Sequence, residues 1–208
     1  MPILPFDERL DQLLSAAARV FADKGYHATT MRDLSRASGL SLAGIYHYVA
    51  GKEELLYLIQ HRCFEQVFEG AQAVVDRQPE AVARVRAFVR HHIAFFAAHM
   101  PEMKVLSHEA DSLTGERDAE IRQLKRRYAS LLADCIEALE GPDPRVAAYG
   151  LFGMMNWIYT WYRPDGRVSP EALADVFAHV FLHGAAEPRP RAAAANAGGP
   201  PDDQRRSG

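Results

Sequence analysis

The stretch TTMRDLSRASGLSLAGIYHYVAGKEELL, residues 29–56, decides the fold. Thr30 carries the kind of side-chain oxygen that caps a helix start, and Met31, Leu34 and Ala37 follow at three-residue steps along one face. Ser38-Gly39-Leu40 breaks that period. Ser41 then caps a second helix expected over residues 42–49, in which Leu42, Ile45 and Val49 fall at i, i+3 and i+7 and face inward. Two short helices about a glycine turn make a helix-turn-helix. A second helix this slim, presenting Ala43, Gly44, Tyr46 and His47, has the size to enter the major groove of duplex DNA.

Charge in this head is nearly balanced. Over residues 1–52, the basic side chains Arg9, Arg19, Lys24, Arg32, Arg36 and Lys52 face the acidic Asp7, Glu8, Asp11, Asp23 and Asp33, six against five. Phosphate neutralisation drives nonspecific DNA affinity, so a head of this balance must depend on neutral contacts. The expected DNA-contact set is Thr30, Arg32, Ser41, Leu42, Ala43, Gly44, Tyr46, His47 and Lys52. In it the helix starts at Thr30 and Ser41 offer backbone donors to phosphate, and Tyr46 and His47 reach furthest into the groove. Thr30 and Ser41 also read as plain caps, Arg32 as a solvated charge, and Tyr48 as core.

These residues resemble the N-terminal segment of the TetR family of bacterial repressors. The matching features are Phe21-Ala22-Asp23-Lys24-Gly25-Tyr26, Thr29-Thr30-Met31-Arg32-Asp33-Leu34, Ser38-Gly39, Ile45-Tyr46-His47-Tyr48 and Gly51-Lys52-Glu53-Glu54-Leu55. Leu42 stands where the family often has a basic residue, and Val49-Ala50 replaces a frequent Phe-Pro. The resemblance implies a three-helix head completed by a first helix, which periodicity also places from Asp7 to Gly25, with Leu10, Leu13, Leu14, Ala17, Val20 and Phe21 inward.

Downstream the pattern is helical throughout, with no strand period. A long helix starts at Lys52 and runs to about residue 75, roughly 35 Å by its rise per residue, long enough to tie the head to the remainder of the chain. Further helices are expected over residues 80–99, ended by Met100-Pro101; over 116–139, after a short segment 103–112; over 144–162; and over 170–183. The fold class is all-α: a helix-turn-helix DNA-binding domain at 1–51, a helical-bundle ligand-binding and dimerisation domain at 52–184, and a disordered tail at 185–208 rich in Ala, Pro, Arg and Gly.

The 208-residue chain carries a net charge of −3 and is 48% hydrophobic, enough for a substantial core and no polycation. The N-terminus lacks a charged-then-apolar leader and no run approaches the roughly 18 apolar residues that span a bilayer, so a cytoplasmic protein with no membrane partner is expected. Cys63 and Cys135, at no metal-ligand spacing, read as free buried thiols. Of nine histidines, His91, His92, His99 and His108 form the group to test for metal; His92 and His99 sit seven apart with no ligand at i+4. No metal, cofactor or catalytic residue is expected: there is no nucleophile elbow, phosphate loop or paired carboxylate.

Aromatic and methionine residues from separate helices suggest an apolar cavity: Phe64, Phe68, Phe96, Met100, Met103, Tyr128, Trp157 and Trp161, with His92 among them and Arg122 and Arg126 at its edge. Such a cavity suits a hydrophobic effector with phosphates, and a core with a solvated basic face is the plain alternative. The run from Asn156 to Gly166, NWIYTWYRPDG, is similar to a TetR subgroup that responds to CoA thioesters in fatty-acid, steroid or aromatic-acid degradation, which implies an acyl-CoA. Gly150 and Gly153 allow a close helix approach, and Val176, Phe177, Val180 and Phe181 form an apolar stripe, together read as a homodimer interface about a two-fold axis, with packing inside one subunit as the plain alternative. The expected function is a ligand-released repressor of a palindromic operator. The competing class is an all-α acyl-group binding protein or enzyme without DNA binding.

Overall fold

The computed structural model describes residues 6–109, 111–139, 141 and 143–183. Among them the chain forms nine α-helices and no strand. The proposed tail at 185–208 lies outside the described residues.

Three helices make the head. Helix α1 (Phe6–Lys24) ends at Gly25, whose φ of 84° is the left-handed conformation that glycine adopts without a Cβ penalty. Helix α2 (Met31–Ser38) opens on a capping box: the Asp33 N–H donates to the Thr30 hydroxyl at 3.2 Å, and the Thr30 N–H donates to the Asp33 carboxylate at 2.9 Å. Gly39, at φ 72°, ends it. Helix α3 (Leu42–Tyr46) is one turn and a half, shorter than the period of its apolar residues indicates, because His47 and Tyr48 form a turn that returns Val49 to the core. Leu13, Leu14, Ala17, Phe21, Leu34, Ile45 and Val49 fill the space between the three.

Helix α4 (Lys52–Val75) leaves the head and enters the body as its central rod, packed on α5 (Ala81–Ala98) and α7 (Gly115–Glu137). Met100-Pro101 does not simply stop α5. It starts α6 (Met100–His108), with proline in the first turn, where its missing N–H is harmless. Helix α6 runs back across α1, so head and body share a second contact besides α4. The helix expected over 144–162 is α8 (Pro144–Asn156), which tightens into a 3₁₀ turn at Trp157–Thr160. Helix α9 (Pro170–His183) lies against α5.

Candidate functional site: reading head and body chamber

The outer face of α3 is open. Tyr46 is 53% exposed, Ser41, Ala43 and His47 are exposed, and Ile45 anchors the helix from below. Leu42, expected inward, is turned to solvent because a helix this short buries one face only, and Ile45 and Val49 already occupy it. Ser41 is a cap: its hydroxyl accepts from Gly44 N–H at 3.0 Å, which leaves the N–H groups of Leu42 and Ala43 as first-turn donors. Gly44 is half-buried against Ser41.

Two of the expected phosphate contacts change role. The Lys52 ammonium donates to the carbonyls of Tyr26 (2.8 Å), Thr29 (2.9 Å) and His27 (3.3 Å) and sits 4.5 Å from the Tyr26 ring centre. Those acceptors take its three protons, so Lys52 is an internal clip that holds the loop before α2. The first turn of α2 is likewise sealed, with the Asp33 carboxylate where a phosphate was expected. Asp33 also pairs with Lys24 at 2.5 Å and Arg36 at 2.6 Å; the Lys24 ammonium, with the Thr30 hydroxyl and N–H, holds its carboxyl well below the usual carboxylate range. Arg32, on the same helix, is exposed and joins no ion pair among the described residues, as are Arg19 and the Thr30 side-chain position.

In the body, α4, α5, α6, α7 and α8 line a half-open chamber of about 270 Å³. Of the expected lining, Phe64, His92, Phe96, Met103 and Tyr128 are there. Phe68 is not: one turn beyond Phe64 it has rotated out under the Arg127 guanidinium, 4.5 Å away. Met100, at the start of α6, lies half-buried against the core instead. Arg122 remains on the surface, bound to Asp118 at 2.9–3.0 Å one turn before it. Trp157 and Trp161 are 60% and 49% exposed, carried outward by the 3₁₀ turn, with Trp161 near Phe177 of α9. Arg126 lines a neighbouring groove with Arg145, and that groove shares Ala129 and Tyr149 with the chamber.

Sequence reasoning missed Leu106, Ser107, Ala129, Tyr149, Phe152 and Asn156. The signal was present for several. Tyr149, Phe152 and Asn156 fall at i, i+3 and i+7, and Met103, Leu106 and Ser107 at i, i+3 and i+4, but the latter face is visible only if residues 100–108 are read as helix.

His92 is the polar centre of this wall. It is 1% exposed, stacked with Tyr128 (interplanar 9°) and 4.7 Å centre to centre from Phe96. Its Nδ1 lies 3.0 Å from the Tyr128 hydroxyl, and Nε2 has no hydrogen-bond partner among the described residues. Burial pushes the imidazole pKa down to about 3, aided by His91; Asn156 pulls the other way without reaching hydrogen-bond geometry on Nε2. The four histidines of interest do not converge: His91 faces the Val67 carbonyl, His99 the Phe95 carbonyl, and His108 the Tyr159 ring. No group of three or more His, Cys, Asp or Glu among the described residues could hold a metal. Cys63 and Cys135 are free and buried.

Two elements of the chamber wall lead to the head. Helix α4 carries Phe64 at the chamber and Lys52 in the head. Helix α6 carries Met103, Leu106 and Ser107 at the chamber, and at its end the buried Glu109 accepts from the Tyr26 N–H at 3.1 Å and the Ser112 hydroxyl at 2.7 Å. The Gln60 amide of α4 donates to the Glu109 carbonyl at 3.1 Å.

A slim exposed helix on a three-helix head, joined by two rods to a helical body with an apolar chamber, is the architecture of a ligand-controlled regulator of transcription. Residues 13–57 match the family described as bacterial regulatory proteins, tetR family, and residues 78–185 match the tetracyclin repressor-like C-terminal domain. The chain belongs to the TetR family. It is 24% identical over 188 residues to the HTH-type transcriptional repressor KstR2 of Mycobacterium tuberculosis, covering 86% of this chain and 93% of that one. It is 30% identical over 152 residues to the HTH-type transcriptional activator FasR of Mycolicibacterium smegmatis, covering 71% and 69%. Among solved structures, AibR in complex with isovaleryl coenzyme A and operator DNA superposes with a TM-score of 0.75 at 32% identity, covering 83% of this chain and 97% of that one. These relatives are transcriptional regulators, and no helix among the described residues is long and apolar enough to cross a membrane.

Proposed function

We propose that this protein is a cytoplasmic, homodimeric repressor, without enzymatic activity, that leaves its operator when a small acyl-CoA occupies the chamber. Residues 6–51 act as the reading head and residues 52–183 as the effector and dimer unit. Tyr46, His47, Ala43 and Leu42 meet base edges, while Arg32 and the first-turn N–H groups of α3 meet phosphates. The apolar chamber takes the acyl group, and the groove beside it, with Arg126 and Arg145, takes the phosphates of the carrier.

The second copy docks on α8 and α9. Val146 and Tyr149 of α8, Trp157 of the 3₁₀ turn and Val176 of α9 are large apolar side chains left exposed, and Gly150 and Gly153 lie on the same α8 face with open space around their Cβ positions. Phe177, Val180 and Phe181 border them, half-buried. Two such faces joined about a two-fold axis would present two heads to half-sites ~34 Å apart.

The observation that carries the mechanism is that α6 lines the chamber with one turn and holds the head with Glu109, the residue that caps its end. A ligand pressing on Met103 and Leu106 therefore displaces Glu109 and the Tyr26 loop, and shifts the head equilibrium by its differential affinity for the two arrangements. The test is an operator-shift titration with DNA from upstream of the chain's own gene. Wild type should bind, and short acyl-CoAs should release it. Y46A/H47A should lose binding and remain dimeric. Retention of operator affinity by that variant would remove the reading head. Indifference to acyl-CoAs of graded length would remove the effector class.

A further inference from the structure

Of the polar side chains that line the chamber, which include Ser107, Lys125, Tyr128 and Asn156, His92 is the most deeply buried and keeps one ring nitrogen without a partner among the described residues. Tyr128 is buried and has no hydrogen-bond partner among the described residues other than His92 Nδ1, 3.0 Å away. If Nδ1 carried the ring proton, the phenol hydrogen and the Nε2 lone pair would both be left unused. If Nδ1 accepts from the phenol, a single group is left over, the Nε2–H. The second arrangement orphans fewer buried groups, so the neutral imidazole holds its proton on Nε2, on a ring that lines the chamber; Nε2 itself is covered, and a ligand reaches it by displacing the side chains beside it.

We propose that the chamber selects a compact neutral carbonyl compound, the acyl end of a thioester, by a hydrogen bond from His92 Nε2–H to the carbonyl oxygen. This rests on the reading of the chamber as the effector site. The hydrocarbon part lies against Phe64, Phe96, Met103 and Leu106. Size limits what sits inside: a cavity of about 150 Å³ holds one benzene, so about 270 Å³ holds one ring or a short branched chain with its carbonyl, and the rest of a larger ligand lies outside the mouth. Charge limits it as well. The imidazole stays neutral in this environment, so a carboxylate placed against it would be buried without a counter-ion. A free acid would turn its carboxylate to Lys125, which also lines the chamber, and leave Nε2–H unpaired.

The test uses a matched pair of probes, cyclohexanone and methylidenecyclohexane, with cyclohexanecarboxylate as a third, bound to the full-length wild-type protein. Removing the acceptor while leaving a buried donor unpaired should weaken binding about tenfold, so cyclohexanone should win by that factor over the hydrocarbon and over the acid. H92F should bind the hydrocarbon and lose the preference; H92Q, whose amide can place an N–H near the same point, should regain part of it. Nitrogen-15 spectra of the wild-type imidazole, which need no variant, should show the proton on Nε2 and a shift of that resonance on adding the ketone. Equal affinities for ketone and hydrocarbon, or a proton on Nδ1, would overturn the assignment. Failure of every probe to bind wild type would overturn the chamber reading and this assignment with it. Ketone preference with no effect on operator binding would uphold the His92 contact and remove only the release mechanism.

Discussion

Replacing Glu109 by alanine cuts a carboxylate that ties the end of α6 to the reading head. One oxygen accepts from the Tyr26 N–H at 3.1 Å and the other from Ser112, in a site where both Glu109 and Tyr26 are buried. The Tyr26 N–H has no backbone acceptor among the described residues, so truncation orphans a buried donor, a loss of about 2 kcal/mol. For a chain of this size that lowers Tm by roughly 4–8 °C. E109Q keeps an oxygen for Tyr26 and should fall by less than half as much. The assay that decides the mechanism is operator affinity with and without effector: in E109A the ratio should collapse toward one, because chamber and head no longer share this link. A Tm within about 1 °C of wild type would refute the hydrogen-bond geometry. A lowered Tm with an unchanged effector ratio would refute the coupling through α6.

D33N keeps a cap for α2 while releasing Lys24 and Arg36 from their shared carboxylate, so operator affinity at low salt should rise and the salt slope should steepen by about one. Because the folded Asp33 carboxyl titrates below its usual range, its contribution to stability is present above the unfolded value and is lost as pH falls; D33N should lack that acid-side loss, as urea denaturation across pH would show. G153R meets open space in one protomer and should fold normally, yet sedimentation should find it monomeric if that face holds the partner. His92 titrates far below its ordinary value, so the unfolded chain binds a proton that the folded chain does not between about 6.5 and about 3. Stability should therefore fall with acid by up to about 1.4 kcal/mol per pH unit, a slope that H92F should lack in denaturant melts.

What the sequence determined by itself was everything governed by local chemistry. The Thr30 cap, the Gly39 stop, the Ser41 cap, the start of α4 at Lys52 and the helical period of the body each depend on neighbours a few residues away, and each was legible from the one-dimensional pattern. The aromatic contributions of Phe64, Phe96 and Tyr128 to one chamber were legible too, because each stands at a buried position on its own helix.

Tertiary structure alone decided which charges and which aromatics face where. Lys52 reads as a phosphate contact until Tyr26, His27 and Thr29, some 25 residues earlier, bring three carbonyls to it. Phe64 and Phe68 are alike in sequence, yet one turn of helix puts one in the chamber and the other under Arg127. The tryptophans left the cavity because α8 tightens into a 3₁₀ turn, and Glu109 met Tyr26 across 83 positions of chain because α6 folds back over α1. Local propensity sets a helix and its register from adjacent residues. The partner of a given face is chosen by packing between segments distant in sequence, and no period along the chain encodes that choice.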